Sequence, residues 1–390
     1  MFTPFPGLLF DPNTVSPSSG EATSPPYDVI SADDRTALIR SSPYNVARLL
    51  LPEGGEERYQ QAAAALADWR AAGVLRTDPT ARFYIYEMTY ISEQGARNTA
   101  RGVLGSLVVE PLGDRIVGHE ETMAKHRADR MALLSSTEAN LDLIVALSSA
   151  PDLALLLEPT GHPRLEFDAG GIHHRLFDVT EPQRIAAITR SVAAHGVSIA
   201  DGHHRYTTAL AYAAERDPDH RGGPWDGILT FLAPAEGSGL RVAPYHRVFP
   251  VFPFEAARVA ARFEVEPISP APPDRPGDLV VAEQDAGWLL RPRPEALATL
   301  PLPLQAASAA VARELLYPLL DVSEDHAWYT PNARRAIAEA PRGGAALLVA
   351  PVPEASIALA SDAGVRFPQK STYFTPKPRA GLVIRVFDTG

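Results

Sequence analysis

At 390 residues the chain exceeds one ordinary core, and at roughly 100–200 residues per domain it predicts two or three packed units. Hydrophobic residues make up 45% and charged residues 21%, the balance of a globular protein rather than a disordered one. The 36 Lys and Arg against 47 Asp and Glu leave a net charge of −11, which argues against nucleic acid as a partner, and the lack of cysteine excludes disulfides, thiolate metal sites and cysteine nucleophiles.

The start, Met1 to Gly20, shows no basic stretch followed by an apolar one, and no apolar run approaches the ~20 residues that span a bilayer; the expectation is a cytoplasmic protein with no membrane partner. Pro, Ser and Gly up to Tyr27 predict an extended segment. Ser31 before Ala32, Asp33 and Asp34 is an N-cap for a helix to about Arg40, and a second helix runs from Glu56 to Ala72, closed by Gly73. Arg82 to Glu110 reads as a β-hairpin around a polar turn at Glu93 to Asn98. A helix at Arg127 to Ser136, strands at Leu141 to Leu147 and Gly171 to Asp178, and a helix from Pro182 to His195 follow. The strand Val197 to Ala200 stops at Asp201, before a helix to Arg216 and a strand at Gly227 to Leu232. Beyond Pro250 we expect a helix near Phe254 to Phe263, a proline-rich connector at Pro267 to Pro276, a hairpin at Leu279 to Arg291, helices at Ala333 to Ala340 and Pro353 to Ala363, and strands at Ala345 to Ala350 and Gly381 to Val386. The predicted fold class is α/β (α+β), divided into residues 1–110, 111–250 and a smaller C-terminal α/β unit at 251–390.

The strongest chemical signal is Asp201, Gly202, His203, His204, Arg205 between a strand and a helix. Glycine permits a sharp turn, and the helix start presents backbone N–H groups and the positive end of the aligned peptide dipoles, where phosphate fits. Arg205 can fork onto phosphate oxygens, the histidines can donate hydrogen bonds or move protons, and Asp201 can hold Mg²⁺ or orient an imidazole. Adjacent histidines point to different sides of a helix, which disfavours a shared transition metal. A bland alternative is an Asp that caps the helix beside packed histidines.

A second cluster is Gly118, His119, Glu120, Glu121, Thr122, followed by Lys125, His126, Arg127, Asp129 and Arg130, in which Glu120 is the candidate general base. A third is the proline-flanked loop Phe367 to Pro378, where Lys370 and Lys377 with Ser371 and Thr372 could grip an anion. The run Ser24 to Ile30 places Tyr27 and Asp28 beside prolines that shape the fold. Charged surface loops would account for the second and third clusters equally well.

These four segments, Pro25 to Ile30, His119 to Thr122, Ala200 to Tyr206 and Lys370 to Pro378, in this order, resemble the bacterial and archaeal domain-of-unknown-function family 1015. The Asp-Gly-His-His-Arg run is similar to the phosphate-binding motif of the ParB/sulfiredoxin fold and of the free serine kinases of that fold. The resemblance implies a mixed-sheet body with a ParB/sulfiredoxin-like phosphate-binding core. It implies that Asp201, Gly202, His203, His204 and Arg205 bind the phosphates of ATP or ADP with Mg²⁺ on Asp201, that His119, Thr122, Lys370, Ser371 and Thr372 assist, and that Asp201, His203 and Glu120 are catalytic, Glu120 taking a proton from a substrate hydroxyl. The expected activity is a nucleotide-dependent phosphotransferase for a small hydroxylated metabolite such as serine. A phosphatase acting on a phosphorylated amino acid and a ParB-like nucleotide switch without turnover are the alternatives, and a homodimer stays open. Sulfiredoxin chemistry needs a cysteine, which is absent. Glu120 and Asp201 lie much further apart in sequence than in the compact kinases, and the stretch Asn140 to Leu147 departs from the family pattern.

Overall fold

The computed structural model of the protein describes residues 1–16, 20–92, 95–113, 115–121, 124–219, 221–283 and 286–387. They form two units: Met1–Val117, Met123–Leu240 and Pro376–Gly390 make up the first, Gly118–Thr122 and Arg241–Thr375 the second. The three successive segments expected from sequence are thus distributed otherwise. Boundaries fall at Val117–Gly118 and Leu240–Arg241, but residues 1–117 and 123–240 belong to one unit, because the hairpin before residue 110 pairs with strands far downstream, and such long-range pairing is invisible to a local reading.

The first unit is built on a nine-stranded sheet of β1 (Phe2–Thr3), β2 (Phe83–Ile91), β3 (Arg97–Val108), β4 (Ile116–Gly118), β5 (Ile144–Ser148), β6 (Leu165–Ala169), β7 (Ile172–Val179), β8 (Val197–Asp201) and β9 (Gly227–Pro234). Its order is β4-β8-β5-β9-β3-β2-β7-β6, with β1 beside β3. β9 runs parallel to β5 and antiparallel to β3, so the sheet is mixed. β2 and β9 are buried along almost their whole length, the pattern of strands covered on both faces.

Two apolar clusters flank this body. One gathers Phe2, Phe83, Val103, Ile144, Phe177 and Tyr206. The other gathers Leu49, Leu66, Trp69, Leu133, Leu141 and Ile384. The longer helices of this unit among the described residues are α1 (Ala32–Ser41), α2 (Arg58–Ala71), α3 (Ala124–Thr137), α4 (Pro182–Ala193) and α5 (His203–Arg216). Their punctuation follows local chemistry. Ser31 and Asp34 form a reciprocal capping box at α1, and Gly73, at φ +70°, closes the turn after α2.

The second unit holds a six-stranded sheet of β10 (His246–Phe249), β11 (Phe263–Ile268), β12 (Leu279–Glu283), β13 (Ala286–Pro292), β14 (Trp328–Thr330) and β15 (Ala345–Val349), in the order β11-β13-β12-β15-β10-β14. Two expectations are corrected here and in the first unit. Of the helix expected at Phe254 to Phe263 only Ala256–Val259 is helical; the chain then enters β11, an edge strand, where Pro267 is tolerated because one side of its backbone lacks a neighbour. The strand expected at Gly381 to Val386 shrinks to Arg385–Val386 plus a single bridge from Ile384 to Leu8.

Candidate functional site

The Asp-Gly-His-His-Arg segment forms the corner between β8 and α5. β8 pairs with β5 as Val197 to Ser148 and Ile199 to Ala146, then slips so that Asp201 faces Val145 and Ala200 is the extra residue. A bulge of this kind bends the strand and re-aims the side chains beyond it. Gly202 adopts φ +92°, ψ 28°, in the left-handed region. A Cβ at this position would lie 2.7 Å from Ile144 Cγ2, so glycine is required by both conformation and space. α5 starts at His203, with the Tyr206 N–H donating to Gly202 O at 2.9 Å and no side chain at the cap position, so the positive end of the helix dipole is directed at this corner. His203 is buried and His204 half-buried, its carbonyl accepting from Thr208 Oγ1 at 2.8 Å.

Around the corner lies a set of paired charges. Lys377 Nζ donates to Asp201 Oδ2 at 2.8 Å, and Arg205 Nη2 reaches the same oxygen at 3.3 Å. Arg205 Nη1 donates to Asp142 Oδ2 at 2.8 Å and also to the Leu143 carbonyl. Two guanidinium groups lie over the Tyr27 ring, Arg130 at 4.3 Å and Arg205 at 5.7 Å from its centroid. Burial would lower the pKa of Arg205, but Asp142, Asp201 and Asp28 outweigh it and raise the value. Burial raises the Asp142 carboxyl, with Asp28 and Asp201 adding to the effect and Arg205 opposing it. Arg205, expected to fork onto phosphate, is thus placed as a buried strut that joins Asp142 to Asp201.

The second expected cluster gathers in the other unit. The backbone at Glu120 bridges to Phe367, with the Phe367 N–H donating to His119 O at 2.7 Å. The Glu120 carboxylate accepts from the backbone N–H groups of Lys370 at 3.2 Å and Thr372 at 2.9 Å, and from Thr372 Oγ1 at 2.7 Å. Since the Thr372 hydroxyl proton goes to Glu120, His119, fully buried, donates from Nε2 to Thr372 Oγ1 at 2.9 Å. Ser371 Oγ donates to Pro368 O at 2.6 Å. Lys370 has φ +56°, a strained value for a side-chain-bearing residue, and its Nζ lies 4.9 Å from the Tyr245 ring centroid. Thr122 lies outside the described residues. His119, Glu120, Lys370, Ser371 and Thr372 therefore do come together, and both hydroxyls have internal partners.

Sequence reasoning passed over Asp142 as a site residue and placed Arg130 in the second cluster instead of at this corner. Lys377 stood inside the quoted loop, but its pairing with a carboxylate 176 positions away has no local signature. For Mg²⁺, which is commonly held by one or two carboxylates together with substrate phosphates, Asp201 offers one suitable carboxylate. Among the described residues no group of three or more His, Asp or Glu could hold a metal. No helix among the described residues is long and apolar enough to cross a membrane.

Comparison with solved structures finds SbnI with a C-terminal truncation from Staphylococcus aureus, at TM-score 0.40 and 12% identity over 72% of this chain and 87% of that one. A free serine kinase variant in complex with AMP matches at TM-score 0.38 and 12% identity, over 71% and 92%. A conserved hypothetical protein from Pyrococcus furiosus matches at TM-score 0.36 and 12% identity, over 70% and 94%. No curated protein matches. The family described as "Protein of unknown function (DUF1015)" matches residues 2–323, which hold three of the four motifs, and the chain belongs to the DUF1015 family.

Proposed function

We propose that the protein is a nucleotide-dependent phosphotransferase acting on a small hydroxylated metabolite, with free serine or a similar amino acid as the guessed acceptor. The observation that carries this reading is the corner itself. A bulged strand, a left-handed glycine and a fourteen-residue helix bring Asp201 and the positive helix end together, with Lys377 beside them. Phosphoryl transfer asks a protein mainly for positioning and charge neutralisation, and Lys377, the helix end and a carboxylate for Mg²⁺ supply those elements. The ParB/sulfiredoxin-like character of the core belongs to this reading, resting on the resemblance of the motif.

ATP or ADP with Mg²⁺ is the proposed cofactor pair, Mg²⁺ neutralising phosphate charge next to Asp201. The resemblance assigns proton removal from the acceptor to Glu120, and the structure gives the same carboxylate a second occupation, holding the Lys370 to Thr372 turn. The test is nucleotide binding by calorimetry combined with a screen for nucleotide consumption against serine and small alcohols. We expect Asp201→Ala to weaken Mg²⁺-nucleotide binding by about tenfold or more, as loss of a charged partner does. Glu120→Gln should abolish turnover while nucleotide affinity is kept if Glu120 is the base. Unchanged nucleotide binding in Asp201→Ala, or no nucleotide binding by the unsubstituted chain, overturns the reading.

A further inference from the structure

Behind the Asp-Gly-His-His-Arg corner, within the first unit, a cavity of about 60 Å³ opens between α3, α5 and the segment that leads into β5. Its polar end is formed by Tyr27, Arg130, Asp142 and Arg205, and Leu134 and Ala209 are among the apolar residues of the rest. A single water needs roughly 10–15 Å³ of such space, so the cavity suits a ligand of about four to six heavy atoms and excludes a nucleotide.

The charges at the polar end decide what kind of ligand. Arg130 is already held by Asp129, with Nε 2.9 Å from Oδ2, and its Nη1 donates to the Leu50 carbonyl at 3.0 Å. It is poorly placed to receive a ligand carboxylate. Arg205 faces three carboxylates, those of Asp142, Asp201 and Asp28, and its direct bond to Asp142 is made by one nitrogen. The side chain of Asp142 is itself almost fully buried, and Asp142 lines the cavity. A buried carboxylate that shares its cationic partner gains from a second cation with hydrogens to donate.

We propose that this cavity binds a small primary ammonium ion bearing a hydroxyl, with its nitrogen on Asp142 and its carbon stem against Leu134 and Ala209. Under the phosphotransfer reading, on which this last step rests, that molecule is the acceptor. The determinant is the ammonium group, so an amino alcohol suffices and a ligand carboxylate adds nothing.

The probes are ethanolamine, serine and ethylene glycol, the last a neutral molecule of nearly the same shape as ethanolamine, titrated calorimetrically into the full chain. Ethanolamine is expected to bind saturably and ethylene glycol not to bind. Leu134→Phe, which fills the cavity and leaves every charge in place, should weaken ethanolamine by about tenfold or more. Asp142→Asn should do the same, and because it leaves Arg205 short of a partner and can compromise folding, Leu134→Phe is the deciding variant, with thermal melting to show that it folds. No binding of ethanolamine, equal binding of ethylene glycol, binding of serine alone, or affinity undiminished in Leu134→Phe overturns the proposal. Nucleotide binding is measured separately, so failure here is distinct from failure of the phosphotransfer reading.

Discussion

Two residues with positive φ show how differently the chain handles the same conformation. At Gly202 the left-handed backbone is met by a residue without Cβ, and Ile144 closes the space in which a side chain would stand. Gly202→Ala is therefore expected to cost about 1–3 kcal/mol, read as a lower urea midpoint, with the corner displaced and nucleotide affinity falling in step. At Lys370 the chain bears the strain instead, because Glu120 fixes the neighbouring N–H groups. The motif was legible in the sequence because strand, glycine and helix start are consecutive and each follows from its own residue type. The roles of its side chains were less so. Arg205 has the right chemistry for a phosphate, yet its Asp142 partner lies 63 positions away. No spacing rule connects the two, and only the pairing of β5 with β8 makes them neighbours.

At the scale of elements, legibility tracks how local the stabilising physics is. α1 is marked by Ser31 and Asp34, three residues apart, whose reciprocal bonds are present in the structure at 3.1 Å each. Ser31→Ala should therefore lower stability by about 1 kcal/mol in equilibrium denaturation, with little effect on ligand binding. The β2–β3 hairpin was legible too, from its alternating apolar residues and the polar turn between them. β11 was not, since Phe-Glu-Val-Glu-Pro-Ile suits a strand only once β13 lies beside it, from Phe263 opposite Pro292 to Ile268 opposite Gly287. β6 was missed for the same reason: it exists as the outer partner of β7, and its own five residues carry little apolar pattern. That residues 1–117 and 123–240 share one unit has no local signature either, because a sheet assembled from distant strands leaves no compositional mark of their pairing.

For the whole molecule, each unit contains a buried histidine that is neutral in the fold. In the first unit His174 stacks on Phe167 at 4.9 Å, and its Nδ1 accepts from the Tyr86 hydroxyl at 2.7 Å. In the second unit His246 Nδ1 accepts from the Val349 N–H at 3.2 Å. Burial, then the charge of Arg379, lowers His174 to about 4, and burial, then Arg247, lowers His246 to about 4. The unfolded chain takes up these protons near pH 6.5, whereas the fold resists them until about pH 4. The stability they contribute is complete above that upper value and is lost as the pH falls through the window, on the order of 3 kcal/mol for each histidine. Asp142, with its raised pKa, contributes with the opposite sign. Urea midpoints recorded from about pH 7 to about pH 4 should decline, and a His174→Asn variant should decline less. The return of residues 376–387 to the first unit has a consequence for biosynthesis. Lys377 emerges from the ribosome long after Arg205, by roughly 10–30 s at ordinary elongation rates, so a nascent chain carries Asp201 without its ammonium partner throughout that interval.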